Sequence, residues 1–167
     1  MWKQSDAPLA QDKAATYERL AAQLKGLLDG SRDRVANAAN TCALLYQSLP
    51  RLNWAGFYFL DATGRELVLG PFQGKPACVR ISLDQGVCGH AATTRRSVVV
   101  ANVQEFEGHI ACDEASLSEL VAPIMQEEAL IGVLDLDSPD LGRFDAEDRV
   151  GCERIASIYA ESLRAHP

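Results

Sequence analysis

Leu130-Ile131-Gly132-Val133-Leu134-Asp135-Leu136-Asp137, followed by Ser138-Pro139, is the stretch that decides the fold. Its branched and apolar residues read as a β-strand, and the serine-proline pair ends it. Asp135 and Asp137 lie two apart, so both side chains leave the strand on one face. Acidic groups in an otherwise apolar strand are rarely buried without a partner. On a pocket wall they hold a cation, an ammonium group or a metal. Crowding raises the pKa of at least one and makes it a proton donor. The bland alternative is a solvated strand end in which Asp137 caps the following turn.

Working outward, residues 126–128 form a turn and residues 119–125 a preceding strand, which begins at a third carboxylate, Glu119. After residue 138, Asp145 caps a last helix through about Leu163, with Val150, Ile155, Ile158, Tyr159 and Leu163 facing inward. Toward the N-terminus, residues 97–100 are a short buried strand. Residues 86–94 are a short helix entered through Gly86 and carrying Cys88. Residues 78–83 are a strand. Residues 53–60 and 66–71 are a hairpin turned by Asp61-Ala62-Thr63-Gly64. The Gly70–Pro76 stretch reads as a loop. Two helices come first. Residues 13–28 carry Leu20, Leu24, Leu27 and Leu28 at helical spacing. The second runs through about Leu49 with Val35, Ala38, Ala39, Cys42, Leu45 and Leu49 on its apolar face, capped by Ser31 or Asp33 and stopped before Pro50.

Helices at both ends and hairpin-joined strands between them give an α+β pattern. The sheet is six-stranded and mostly antiparallel. The terminal helices cover one face, and loops and short helices form a ligand pocket on the other. The chain reads as a single domain over residues 1–167, with about residues 1–30 an N-terminal helical extension packed on it.

Composition narrows the function classes. The 167 residues are 47% apolar, which fits an ordinary globular interior, and the formal net charge of -7 disfavours nucleic acid as a partner. No apolar run approaches a membrane span, and no apolar stretch follows Met1–Asp6 as in a secretory signal, so the expected location is cytoplasmic. Five cysteines, Cys42, Cys78, Cys88, Cys112 and Cys152, include no CxxC pair. Zinc is therefore not expected from spacing, although His90, His109 and Cys112 can be drawn into a site on paper.

Cys112 is the first candidate for chemistry. It sits in the polar stretch 102–118, beside His109. A helical turn at Asp113-Glu114-Ala115 would place its thiol near backbone amides that stabilise a thiolate. Cys78 and Cys88 flank the glycine-rich middle, and either becomes a redox partner if it reaches Cys112. Cys88 can equally pack beneath its helix. Cys42 and Cys152 fall on apolar helix faces as inert core thiols. Trp54 and Tyr58, four apart on a strand, share a face and wall either a small pocket or ordinary core.

Five segments carry a family resemblance: Asn53-Trp54-Ala55-Gly56-Phe57-Tyr58; Leu69-Gly70-Pro71-Phe72-Gln73-Gly74-Lys75-Pro76-Ala77-Cys78; Gly86-Val87-Cys88-Gly89; Gly108-His109-Ile110-Ala111-Cys112-Asp113; and Ile131 through Pro139. In this order the chain resembles the free methionine-(R)-sulfoxide reductases, stand-alone proteins of the GAF fold. The resemblance implies that Cys112 is the nucleophile and that Cys78 forms the intramolecular disulfide with it. Cys88 would be a third catalytic-site thiol for recycling or backup. Glu119, Asp135 and Asp137 would bind the substrate amine and sulfoxide, with Glu119 or one of the aspartates giving the proton, and Trp54 and Tyr58 would form the aromatic wall. It further implies an oxidoreductase of oxidative-stress repair with no bound cofactor or metal. The reductant would be an external dithiol such as thioredoxin, and the protein a homodimer. A small-molecule-sensing GAF domain is the alternative. Sensors of that kind usually carry an output domain, and the cluster of central cysteines also speaks against one.

Overall fold

The structure is a computed structural model, described over residues 12–108 and 113–164. Two helices open the chain, α1 (Lys13–Leu28) and α2 (Arg34–Ser48), and Asp12 and Asp33 cap them by accepting backbone N–H bonds. The strands are β1 (Trp54–Leu60), β2 (Glu66–Gly74), β3 (Arg80–Ser82), β4 (Val98–Val100), β5 (Ser118–Gln126) and β6 (Ala129–Ser138). Helix α3 (Gly86–Thr94) lies between β3 and β4, and α4 (Ala146–Ser162) closes the described chain. All six strands join one antiparallel sheet in the order β3-β2-β1-β6-β5-β4.

Period-two alternation divides the core in two. Ala55 and Phe57 of β1, Leu120, Ala122 and Ile124 of β5, and Leu134 and Leu136 of β6 pack with the residues of α1, α2 and α4. The other parity, Trp54, Tyr58, Val121 and Val133, meets α3 in a second cluster that contains Val87, Cys88, Ala91 and Ala92. The α+β architecture, the six-stranded sheet and the placement of the terminal helices agree with the sequence reading. None of the described helices is long and apolar enough to cross a membrane.

Four local expectations are corrected. Strand β2 does not end at Pro71 but runs to Gly74. Gly56 pairs with Phe72 and Tyr58 with Leu69, so Gly70 and Pro71 together oppose Phe57 in a bulge. A bulge tolerates the missing proline N–H that an unbroken ladder would not. Conversely β3 is shorter than expected, three residues from Arg80. On α2, Val35 and Ala39 are exposed, and Asn37 is buried in their stead. Its amide donates to the Ser31 carbonyl and to Ser162 Oγ, which removes the cost of burying it. On α4, Val150 is exposed while Gly151 turns inward, because any Cβ there would strike the ring of Tyr17.

Candidate active site

Three neighbouring strands build the floor of a small cavity. Trp54 on β1 pairs with Asp137 on β6, which pairs with Glu119 on β5; one rung along, Gly56, Asp135 and Val121 align in the same way. Strand parity therefore places all three carboxylates on the face opposite α1, α2 and α4. Helix α3 covers that floor, and its Cys88 is 3% exposed. Gly89 lets α3 lie tightly against the end of β3, since a Cβ there would lie 2.6 Å from the Ser82 carbonyl oxygen. Cys88 Sγ donates toward Asp135 Oδ2 at 3.4 Å and lies 4.0 Å from Glu119 Oε1.

The aromatic wall is equally constrained. The indole of Trp54 lies over Gly56, where any side chain would displace it. It stacks on Tyr58 and on Phe72, with ring centres 5.8 and 5.4 Å apart. Trp54 Nε1 donates to the Lys75 carbonyl at 3.1 Å, and the Tyr58 hydroxyl donates to the Cys78 carbonyl at 3.0 Å. The wall thus fixes the backbone of the segment that carries Cys78. On the opposite rim, Asn53 Nδ2 donates to Ser116 Oγ at 3.0 Å and to Asp113 Oδ2 at 3.4 Å. Lys75 reaches Asp113 at 3.4 Å. Gly86 N donates to the Gly108 carbonyl, so the flanks of residues 109–112 are tied to α3 on one side and to Asn53 and Lys75 on the other.

Burial dominates the electrostatics. It raises the pKa of Glu119 well above the usual carboxylate range, and Asp135 and Asp137 add to the effect. Asp135 is pushed up to about 7 by burial, against the opposing pull of the Cys88 hydrogen bond. Asp137 is raised by burial and then by Asp135 and Asp113. The Cys88 thiol is raised by burial and by Asp135 and Glu119, so it rests protonated. Among the described residues, no lysine or arginine pairs with these three carboxylates. A cavity with crowded acids, an aromatic wall and no counter-ion among its described residues suits a small cation with an apolar tail.

The GAF domain family matches residues 36–164. Protein YtsP of Bacillus subtilis is 49% identical over 152 residues, with 91% of each chain aligned. Free methionine-R-sulfoxide reductase of Escherichia coli is 46% identical over 152 residues, again with 91% of each chain. The X-ray structure of free methionine-R-sulfoxide reductase from Neisseria meningitidis in complex with its substrate is 40% identical and covers 96% of each chain at a TM-score of 0.88. The chain belongs to the GAF-domain family and is homologous to the free methionine-R-sulfoxide reductases.

In this GAF-domain protein Trp54, Tyr58, Cys88, Glu119, Asp135 and Asp137 line one cavity. Cys78 is half-buried beside it, two residues from the lining Pro76. Cys112 and His109 lie outside the described residues, although Asp113, next in the chain to Cys112, lines the cavity. The turn expected at residues 113–115 is present as a single hydrogen-bonded turn that does not continue into a helix. Asp113 Oδ1 accepts the Ala115 N–H and the Asp113 carbonyl accepts the Ser116 N–H, which closes a polar turn. Cys42 and Cys152 are buried free thiols on the helix side of the sheet, as expected. Asn53, Asp113 and Ser116 join the rim without having been assigned a role. Their polar types in adjoining segments were visible, but their meeting depends on tertiary pairing.

Proposed function

We propose that the protein reduces free L-methionine-(R)-sulfoxide to L-methionine with Cys112 as nucleophile. The observation that carries this reading is the acid-lined, aromatic-walled cavity with no internal cation among its described residues. Homology to the reductases supports thiol-based redox enzymology, and the cavity supports a small zwitterionic substrate. The ammonium of a free amino acid sits against an ionised carboxylate, whereas a peptide-bound methionine has lost that charge. Trp54 and Tyr58 receive the methylthio end.

The Cys112 thiolate attacks the sulfoxide sulfur. A protonated carboxyl of the cluster gives its proton to the departing oxygen, a role that suits Glu119 because burial and two acidic neighbours hold it neutral. The protonated oxygen passes from the substrate sulfur to the Cys112 sulfur as the new bond between the two sulfurs breaks; methionine leaves, and Cys112 is left as a sulfenic acid. Cys78 displaces that oxygen as water and forms the Cys78–Cys112 disulfide. An external dithiol of the thioredoxin type reduces the bond and becomes oxidised in turn. Cys88, protonated beneath α3, serves as the secondary thiol. The same reading makes the protein a cytoplasmic homodimer that acts as a single domain with its N-terminal helical extension.

The test is stoichiometric. Reduced protein is mixed with the separate R and S forms of free methionine sulfoxide, and released methionine is measured together with the disulfide formed, by peptide mapping. R-specific release with a Cys78–Cys112 bond is expected, and Cys112→Ser should lose turnover. Binding of a nucleotide without consumption of either sulfoxide would instead establish a sensor.

A further inference from the structure

We propose that the cavity floor is also a binding site for a borderline-soft divalent cation of the zinc type, held by Cys88, Glu119 and Asp135. One ligand atom from each of these buried residues can be chosen so that all lie within 4.8 Å of one another. With Zn–S near 2.3 Å and Zn–O near 2.0 Å, tetrahedral angles require a sulfur-to-oxygen separation of about 3.5 Å. The Cys88 Sγ distances of 3.4 Å to Asp135 and 4.0 Å to Glu119 bracket that value. Both sulfur-to-oxygen spacings thus lie close to those of a tetrahedral shell.

A second observation is independent of that spacing. Asp135 is 6% exposed and lines the cavity, and its Oδ1, the oxygen that does not face Cys88 most closely, has no hydrogen-bond partner among the described residues. An acceptor left in this state is costly unless a ligand satisfies it. The donor set also discriminates among ions. Calcium and magnesium take oxygen ligands in larger or stricter shells, whereas a thiolate with two carboxylates suits zinc. Three protein ligands leave a fourth position open to water. The three come from α3, β5 and β6, so the geometry is set by packed elements and not by a loop.

Glu119 and Asp135 are also the groups assigned above to the sulfoxide, so zinc and substrate exclude one another. This consequence rests on the proposed reductase reading; the metal site itself does not. Coupling of this kind is reciprocal, and sulfoxide must weaken zinc to the degree that zinc weakens sulfoxide.

The test uses the reduced full-length protein with Cys78→Ser and Cys112→Ser, so that neither thiol can serve as a ligand. Zinc titration by equilibrium dialysis is expected to saturate at a single ion per chain. X-ray absorption at the zinc edge is expected to show a single sulfur with oxygen neighbours. Adding Cys88→Ala or, if that variant misfolds, Asp135→Asn should lower zinc affinity by more than about tenfold, the smallest loss typical of removing even an outer-shell group. A sulfur-free zinc shell, or no saturable binding, overturns the site. Sulfoxide binding to the same protein, with and without zinc, separates the two proposals. If the metal-free protein fails to bind sulfoxide, the substrate reading falls while the zinc result stands.

Discussion

Glu119 faces Asp137 across the β5–β6 ladder and Cys88 from α3, and no cation among the described residues offsets it. A carboxyl held neutral in this way has a proton to give at physiological pH, whereas an ionised neighbour has a charge to offer an ammonium. The two tasks separate in kinetics. Glu119→Gln is expected to lower the rate of single-turnover methionine release by about 10²-fold to 10⁴-fold, the usual worth of a positioned general acid. Asp135→Asn is expected mainly to raise KM, because Asp135, pushed up to about 7, is partly ionised at physiological pH. A Glu119→Gln enzyme with unchanged single-turnover rate would move the proton donor to an aspartate. At this scale the sequence was informative about parity and silent about neighbours. The spacing of Asp135 from Asp137, and of Trp54 from Tyr58, was enough to put each pair on one side of its strand. It could not show that Glu119 stands opposite Asp137, because that depends on the register between β5 and β6. Nor could it show that Cys88 points at Asp135, because that depends on how closely α3 approaches the sheet.

Helices α1 and α4 are joined by a buried charge cluster on the other side of the sheet. Asp148 is fully buried; it accepts two bonds from Arg143 Nη1 at 3.0 and 3.1 Å, one from Lys13 Nζ at 2.5 Å and one from the Tyr17 hydroxyl at 3.0 Å. It also completes the capping box that starts α4. Removing one member of such a network strands the other charges in a poorly solvated place. Asp148→Ala is therefore expected to destabilise the protein by about 3–5 kcal/mol, read as a lower urea midpoint with an unchanged slope. Leucine spacing and the Asp145 cap made both helices legible, whereas this cluster joins residues too distant in sequence for any local pattern to reveal. The same limit explains Val150. Helical spacing nominates it for the core, but the space is already filled by Tyr17 against Gly151. For β2, the proline at position 71 argued for a loop because a bulge cannot be foreseen without its partner strand.

For the molecule as a whole, the buried acids set a pH dependence of stability. Asp135 titrates at about 7 in the folded protein against an ordinary value of 3.8, so between those limits the native state keeps a proton that the unfolded chain has released. Stability must fall as pH rises through that window, and Glu119 and Asp137 act in the same direction. Asp145 acts oppositely. Although partial burial resists it, bonds from Lys13 and from backbone amides draw it down to about 2, and its contribution is lost as pH drops below 3.8. Urea midpoints are expected to peak at mildly acidic pH, and Asp135→Asn should flatten the limb between pH 4 and 7 by an amount on the order of a few kcal/mol. An unchanged limb in that variant would mean that Asp135 titrates normally. The strand order has a consequence for synthesis. Strand β6 leaves the ribosome last among the strands, yet it occupies the centre, between β1 and β5. Until it emerges, β3-β2-β1 and β5-β4 are two separate ribbons, each with an apolar border open to other chains. Insertion of that final strand seals both borders and, in the same event, assembles the acidic floor, so a truncated nascent chain is sticky but chemically inert.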